Sequence, residues 1–240
     1  MRVSLLGKIL DFFFPRTCPM CGRRLVGDEE ALCITCNLHL PRTDTWQHPY
    51  DNEMAKMFWH LLPVERCGAL FFYQGHSIPS ILVYQLKYGN RPDIGVALGR
   101  LLADEGAGSG FYEGIDAIVP VPLAKERMKK RGYNQSECIA RGISERTGLP
   151  VWNSIVMRNT FRESQTHKNR WERQWNVDQV FSLCKPYLLG GERNGTLQGK
   201  HLLVVDDVCT TGATVLACCT AIMRAGDVRF SIVSAGYTRR

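Results

Sequence analysis

The 240-residue sequence contains no apolar run of the roughly 18 residues that a membrane-spanning helix requires. It also lacks internal repeats and low-complexity tracts, and its 45% hydrophobic and 22% charged residues exclude wholesale disorder and fibrous proteins. The stretch Met1–Phe14 is interrupted by Lys8 and Asp11, and no small-residue cleavage site follows it, so we interpret it as mature protein. Without an export signal, the ten cysteines indicate a reducing cytoplasm rather than a disulfide framework.

The positive charge is concentrated in one window of the chain. The net charge is +7, and residues 125–173 contain 12 Lys or Arg residues against 5 Asp or Glu residues. The rest of the chain is therefore neutral, so an account of function must explain this window. One interpretation of this window is an anion-binding site, and the alternative is a solvated basic face without a ligand.

Short apolar runs alternate with helical patterns from about Cys67 onward. Uninterrupted apolar strands that alternate with helices predict a parallel sheet covered on both faces, and therefore an α/β fold. The predicted strands are Ala69–Tyr73, Asp116–Val121, Val151–Met157, Leu202–Val205 and Phe230–Ser234, and the predicted helices are Ser77–Tyr88, Ile94–Ala103, Tyr133–Arg146 and Ala213–Ala225.

Two C-x-x-C pairs near the N-terminus predict a metal site. They are Cys18-Pro-Met-Cys21 and Cys33-Ile-Thr-Cys36, and eleven residues separate them. Each pair directs two thiolates at one ion, and together they supply the four ligands of a tetrahedral zinc site. Because four protein ligands leave no position for water, we expect the zinc to be structural. The alternatives are incidental thiols or a redox pair.

The most informative stretch runs from Leu202 to Thr214. An apolar strand is followed by Asp206 and Asp207, and then by the small and hydroxylic residues Thr210, Thr211, Gly212, Ala213 and Thr214 at the start of a helix. Carboxylates accept hydrogen bonds from sugar hydroxyls, and N–H groups at a helix start bind phosphate. A ribose 5-phosphate matches both halves. The alternative is a strand followed by a capped helix.

Two basic segments are expected near this stretch. Lys125, Lys129, Lys130 and Arg131 follow the strand that ends at Val119-Pro-Val-Pro122, and we predict that they lie on a loop. A second, polar segment contains Arg158, Gln165 and Arg173 and resembles a mobile lid. Because these segments follow predicted strands, we expect them at the same edge of the sheet, where they would bind anions.

The Leu202–Thr214 string resembles the phosphoribosyl-pyrophosphate (PRPP) motif of the type I phosphoribosyltransferases. The whole chain resembles the ComF family of competence proteins, which join a zinc ribbon to a phosphoribosyltransferase-like domain. The landmarks occur in order: the cysteine pairs, Leu86-Lys87-Tyr88, Val119-Pro-Val-Pro122, Arg131-Gly-Tyr-Asn-Gln135, the Gln165…Arg173…Asn176 segment and the PRPP string.

The resemblance implies a Rossmann-like parallel sheet of the type I phosphoribosyltransferase kind, with a small N-terminal zinc ribbon. It implies that Asp206 and Asp207 contact the ribose, that residues 210–214 bind the 5-phosphate, that Lys125–Arg131 faces pyrophosphate, and that Arg158, Gln165 and Arg173 belong to a closing loop. Magnesium would be held mainly by PRPP. The division expected is an N-terminal helix and zinc ribbon over 1–42, a connecting segment over 43–66, and the phosphoribosyltransferase-like domain over 67–240.

Three functions remain open from the sequence. The first is Mg²⁺-dependent transfer of phosphoribose to an unidentified acceptor, which would make the protein a glycosyltransferase. The second is a non-enzymatic adaptor that binds single-stranded DNA and a competence helicase or DNA-processing partner during DNA uptake in natural transformation. The third is a regulator that senses a nucleotide without turnover.

Overall fold

The computed structural model describes residues 16–27, 29–30, 32–159 and 180–239. The predicted N-terminal helix lies outside them. Within these ranges, helices that are both long and apolar enough to cross a bilayer are absent.

Four parallel strands form the central sheet, in the order β1-β6-β5-β2. The strands in the described residues are β1 (Val64–Phe72), β2 (Ala117–Pro120), β3 (Val156–Arg158), β4 (Phe181–Leu183), β5 (His201–Cys209) and β6 (Arg229–Tyr237). β3 and β4 form a separate antiparallel hairpin. The outer edge of β1 is covered by residues 41–45, where the Phe72 N–H donates to the Pro41 carbonyl over 2.7 Å.

Helices and loops cover both faces of the sheet, as the uninterrupted apolar strands predict. The helices are α1 (Ile34–Leu38), α2 (Glu53–Lys56), α3 (Ser80–Tyr88), α4 (Pro92–Ala107), α5 (Lys125–Arg131), α6 (Gln135–Thr147) and α7 (Ala213–Met223). Along β5, Leu202 and Val204 pack on the side of α7 and the hairpin, whereas Leu203 and Val205 pack on the side of α4 and α6. The predicted α/β class is therefore confirmed.

Most predicted elements are present, and three strands of the central sheet are longer than expected, whereas β2 is shorter. β1 begins at Val64 rather than Ala69, and β5 continues to Cys209 rather than ending at Val205. The predicted strand Val151–Met157 is wrong. Val151 makes only an isolated parallel bridge to Ile118, and residues from Val156 onward pair with β4 outside the central sheet. An apolar run cannot by itself reveal that the chain leaves one sheet for another.

Helices α4 and α6 approach each other through two glycines. A Cβ atom at Gly99 would lie 2.1 Å from the Ile139 carbonyl oxygen, and one at Gly142 would lie 2.0 Å from the Val96 carbonyl oxygen. Side chains of any size are therefore excluded from this crossing, because backbone atoms cannot move aside locally.

We predict that Gly142→Ala destabilises the protein by about 3 kcal/mol, near the upper end of the usual cost of overpacking, because the clash is with backbone. Urea unfolding followed by circular dichroism measures this. Gly108→Ala is the matched control, since Gly108 has open space around its Cα and φ −65°; its effect should stay within about 0.5 kcal/mol. An equal loss in both variants would contradict the packing argument.

Candidate functional site

The four N-terminal cysteines come together in one cluster. Their sulfur atoms all lie within 4.8 Å of one another, and the Sγ atoms of Cys21 and Cys33 are 3.6 Å apart. Sulfurs that bind Zn²⁺ tetrahedrally at about 2.3 Å stand about 3.8 Å apart. The cluster formed by Cys18, Cys21, Cys33 and Cys36 therefore fits a structural zinc ion.

Backbone N–H groups around this cluster favour the thiolate form of Cys18. Burial disfavours ionisation of Cys18, but hydrogen bonds from the backbone of Cys33, Cys21 and Met20 outweigh it and lower the pKa of Cys18 to about 7. Gly22, at φ 74°, turns the chain after the first pair, and its N–H donates to the Cys18 carbonyl over 2.8 Å. A turn of this kind requires a residue with positive φ, a conformation that glycine adopts without steric cost.

The cysteine module packs directly against the α/β domain. Leu25, Leu32 and Leu40 are buried in the same apolar cluster as residues of α4 and α6. Glu30 also accepts a hydrogen bond from Arg100 of α4 over 2.7 Å. The module is thus part of the folded core on that face rather than a separate appendage.

We predict that the purified protein holds about one zinc ion per chain and that Cys21→Ser loses most of it, with a lower melting temperature. Cys21 is the exposed member of the cluster, so its sulfur contributes least to packing. Elemental analysis and thermal unfolding measure both effects. Cys184→Ser, half-buried and outside the cluster, is the control; zinc retained in full by Cys21→Ser would contradict the assignment.

The acidic pair lies inside the extended end of β5. Asp206 pairs with Ser234 in the sheet register, and its Oδ1 accepts hydrogen bonds from the Asp207 N–H over 2.9 Å and the Ser136 hydroxyl over 3.2 Å. The carboxylate of Asp207 forms an ion pair of 2.9 Å with the ammonium of Lys87 on α3. The two carboxylates are therefore held in different environments.

Asp206 is hard to ionise in the free protein. Burial, reinforced by the negative charge of Asp207, raises its pKa to about 7, although the Asp207 N–H, Lys87 and Ser136 oppose this. A carboxyl group with a raised pKa is protonated in the folded protein at pH values where it is ionised in the unfolded chain. Stability from this group is therefore present below about pH 4 and is lost as the pH rises to about 7.

We predict that Asp206→Asn is more stable than the parent protein at pH 8, by up to about 4 kcal/mol, because the amide carries no charge to bury. The difference should shrink toward pH 4. Urea unfolding at several pH values measures it. Asp44→Asn, at an exposed position, should leave the pH profile unchanged, and a parent profile that is flat between pH 4 and 8 would contradict the prediction.

The residues after β5 form a loop at the start of α7. Gly212, at φ 74°, is the N-cap, and the following N–H groups open the helix. A small concavity of about 20 Å³ is lined by Thr210, Thr211, Gly212, Ala213 and Thr214, together with the end of β5. The N–H groups at the start of a helix and the helix dipole make such a loop suitable for phosphate.

Two residues of the connecting segment (residues 43–66), Met57 and Phe58, pack against this loop. A Cβ atom at Gly212 would lie 2.9 Å from a ring carbon of Phe58 and 3.0 Å from the Met57 methyl group. Phe58 is buried in the apolar cluster on the α7 side. Gly212 is therefore required by its left-handed φ and also by the residues packed against it.

A cavity of about 310 Å³ opens beside the acidic pair and contains four cationic side chains. They are Lys87, Arg127, Arg131 and Arg158, and they face the carboxylates of Asp206 and Asp207; Thr210 and Thr214 also line this cavity. Burial and the charge of Arg127 lower the pKa of Arg158. The cavity therefore combines a sugar-binding pair, part of the phosphate loop and a surplus of positive charge.

The predicted basic loop is a helix, α5, so that expectation was wrong. Its sequence is rich in good helix formers and ends at Gly132 in a left-handed conformation, a common helix stop. Arg127 and Arg131, four residues apart, share the helix face toward the cavity, whereas Lys125, Lys129 and Lys130 are exposed and do not line it. A period of about 3.6 residues in this segment would have separated the two arginines that face the cavity from the three exposed lysines.

The residues that follow α5 connect the elements of the site through hydrogen bonds, a role that their sequence does not reveal. Asn134 caps α6 and donates through its amide to the Val121 carbonyl over 3.0 Å. Gln135 accepts from Arg131 over 2.7 Å, and Ser136 donates to Asp206. Lys87 was also missed as a site residue, because its contact with Asp207 joins positions far apart in the chain.

The predicted closing loop is described only in part. Arg158 ends β3 and reaches the cavity from the hairpin, with its guanidinium 5.3 Å from the ring centre of Phe181. Gln165 and Arg173 lie outside the described residues.

Comparisons with known proteins agree with this architecture. Residues 9–70 match a family model described as a double zinc ribbon domain. The DNA utilization protein YhgH of Salmonella typhimurium is 33% identical over 220 residues, which cover 87% of this chain and 85% of the relative. Competence protein F of Haemophilus influenzae is 31% identical over 217 residues, or 85% of this chain and 89% of the relative.

The chain belongs to the ComF (competence protein F) family. Competence protein ComFC of Bacillus subtilis is a more partial relative of this ComF-family chain, with 31% identity over 98 residues, 41% of the chain and 34% of the relative. Among solved structures, a Bacillus subtilis glutamine PRPP amidotransferase complexed with ADP and GMP matches at 24% identity with a TM-score of 0.40. That match covers 62% of the ComF-family chain but only 30% of the amidotransferase chain.

Proposed function

We propose that this ComF-family protein binds PRPP, with Mg²⁺, in the cavity beside Asp206 and Asp207. The observation that carries the proposal is the meeting of three chemically distinct elements in one cavity of about 310 Å³. These are the acidic pair, the loop at the start of α7 and the group of cations. A sugar that bears a phosphate at one end and a pyrophosphate at the other requires all three.

Each part of PRPP has a counterpart among these residues. Asp206 and Asp207 accept hydrogen bonds from the ribose hydroxyls. The N–H groups and hydroxyls of Thr210–Thr214 hold the 5-phosphate. Arg127, Arg131 and Arg158 neutralise the pyrophosphate, and Mg²⁺ would be held mainly by the ligand.

The arrangement also suits transfer of phosphoribose to an unidentified nitrogen acceptor. As pyrophosphate leaves, positive charge develops on the ribose; this charge favours ionisation of Asp206, and the acidic pair beside it stabilises the charge. Cations around the leaving group stabilise its negative charge. A pyrophosphate-release assay with PRPP, Mg²⁺ and a panel of nucleobases and amines separates transfer from the binding without turnover expected of a nucleotide-responsive regulator.

We predict that the parent protein binds PRPP in the presence of Mg²⁺ and that the double variant Asp206→Asn, Asp207→Asn binds it at least about 100-fold more weakly. The reason is the loss of two charge-assisted hydrogen-bond acceptors, each worth about 1.5–3 kcal/mol. Titration calorimetry measures both affinities.

Asp227→Asn is the control for this experiment. Asp227 is exposed and precedes β6, so it lies at the opposite edge of the sheet, and its replacement should leave PRPP binding unchanged. No binding heat with the parent protein, or equal affinity in the double variant, would count against the proposal.

A second role as a DNA-binding adaptor is favoured by the exposed lysines of α5. Lys125, Lys129 and Lys130 are exposed and do not line the cavity, so PRPP does not account for them, whereas a nucleic-acid backbone does. The names of the relatives refer to DNA utilization and competence. We therefore propose that the protein acts in the cytoplasm on single-stranded DNA taken up during natural transformation.

The cysteine module offers a surface for a protein partner in this role. Val26, Ile34 and Leu38 are large apolar side chains with 61%, 61% and 76% exposure. We propose that a competence helicase or another DNA-processing protein docks here. The expected parts are residues 1–42 (zinc ribbon), 43–66 (connecting segment) and 67–240 (PRPP binding), and we move the last boundary to Val64, because β1 begins there.

A further inference from the structure

Two tyrosines on the outer face of α3 are exposed without an evident packing role. Tyr84 and Tyr88 lie one helical turn apart, with their ring centres 5.2 Å apart and their planes inclined by 49°. Their exposures are 61% and 58%. Neither ring lines the cavity, so the proposed PRPP site does not explain them.

Arg131 connects this pair of rings to the rim of the cavity, because it contacts the ring of Tyr88. Its guanidinium lies 5.2 Å from the ring centre of Tyr88, and the same side chain lines the cavity. Arg131 is held in place by its hydrogen bond to Gln135, and the Tyr133 hydroxyl donates to the Leu86 carbonyl over 2.6 Å. The end of α3 and the end of α5 are thus fixed against each other.

We infer that Tyr84, Tyr88 and Arg131 form a base-stacking surface for single-stranded nucleic acid at the mouth of the cavity. Exposed aromatic rings and guanidinium planes bind unpaired bases of any sequence by stacking, and neighbouring lysines bind the phosphates. Here Lys129 and Lys130 of α5, next to Arg131 in the chain, are exposed and supply that charge. This inference rests on the proposed DNA-binding role and names the surface that selects a single strand.

A single strand fits these residues better than a free nucleobase. A lone base gains its affinity from an enclosing pocket, whereas these rings are more than half exposed. Duplex DNA hides the faces of its bases, so it has nothing to stack on the rings and would use only the lysines.

The experiment compares two oligonucleotides of equal length and charge, one of thymidines and one of abasic sites, by fluorescence anisotropy with the full-length protein. The double variant Tyr84→Ala, Tyr88→Ala should bind the thymidine strand about tenfold or more weakly, as loss of base stacking requires. Its affinity for the abasic strand should not change. Lys129→Glu with Lys130→Glu should weaken binding of both strands.

Tyr50→Ala is the matched control. Tyr50 is 60% exposed and also lies against an arginine, with the Arg66 guanidinium 5.7 Å from its ring centre. Arg66 is near the start of β1, so Tyr50 sits at the opposite edge of the sheet from the cavity. Its replacement should leave both affinities unchanged. Tyr84→Phe with Tyr88→Phe should bind like the parent protein, because stacking needs only the rings.

The outcomes separate failure of the surface from failure of the DNA-binding role. If neither strand binds the parent protein, the DNA-binding role is wrong, and the inference falls with it. If both strands bind but the tyrosine-to-alanine variant retains full affinity for thymidines, the stacking surface alone is wrong. Binding of thymidine monophosphate that depends on the tyrosines, with unchanged strand binding, would overturn the inference in favour of a mononucleotide site.

Discussion

The free-energy cost of burying the Asp206 carboxylate is the constraint on which the chemistry of the cavity depends. A parallel strand that is apolar on both faces carries an acidic side chain to its end, where burial and the adjacent Asp207 disfavour a second negative charge. The surroundings offset this only in part, through the Ser136 hydroxyl and the Lys87 ammonium. A site that is unfavourable when empty is well suited to a ligand that brings hydroxyl donors and metal-bound positive charge.

The central sheet and the cysteine module share an apolar core, because leucines of the module are buried on one face of it. Residues of α4 and α6 pack against each other through Gly99 and Gly142, and the leucines of the module cover the same side. Small proteins with few core residues commonly use metal to compensate for a limited apolar interior. Here the zinc-binding module also gains from burial against a larger domain.

The parts of the site that are contiguous in the chain could be predicted from sequence. The cysteine pairs and the string from Leu202 to Thr214 each place their functional residues within a few positions, so local spacing determines what they can bind. The predicted class of fold followed from apolar strands that alternate with helices. Lys87 could not be assigned to the site, because only the packing of α3 against the sheet brings it to Asp207. The prediction of a loop for the basic segment rested on the prolines that end the preceding strand, and these do not exclude a helix a few residues later. The prediction for Val151–Met157 failed because an apolar run does not specify its pairing partner.

The packing of Phe58 and Met57 against Gly212 has a consequence for the smallest unit that retains the phosphate loop. A chain shortened to begin at β1 would keep the acidic string intact yet lack the side chains on which Gly212 rests. The loop would then be free to collapse into the space they leave, since buried voids of that size are unfavourable. Met57 and Phe58, which lie between the cysteine module and the sheet, are therefore a wall of the anion site, and a shortened chain keeps the loop's support only if it includes them.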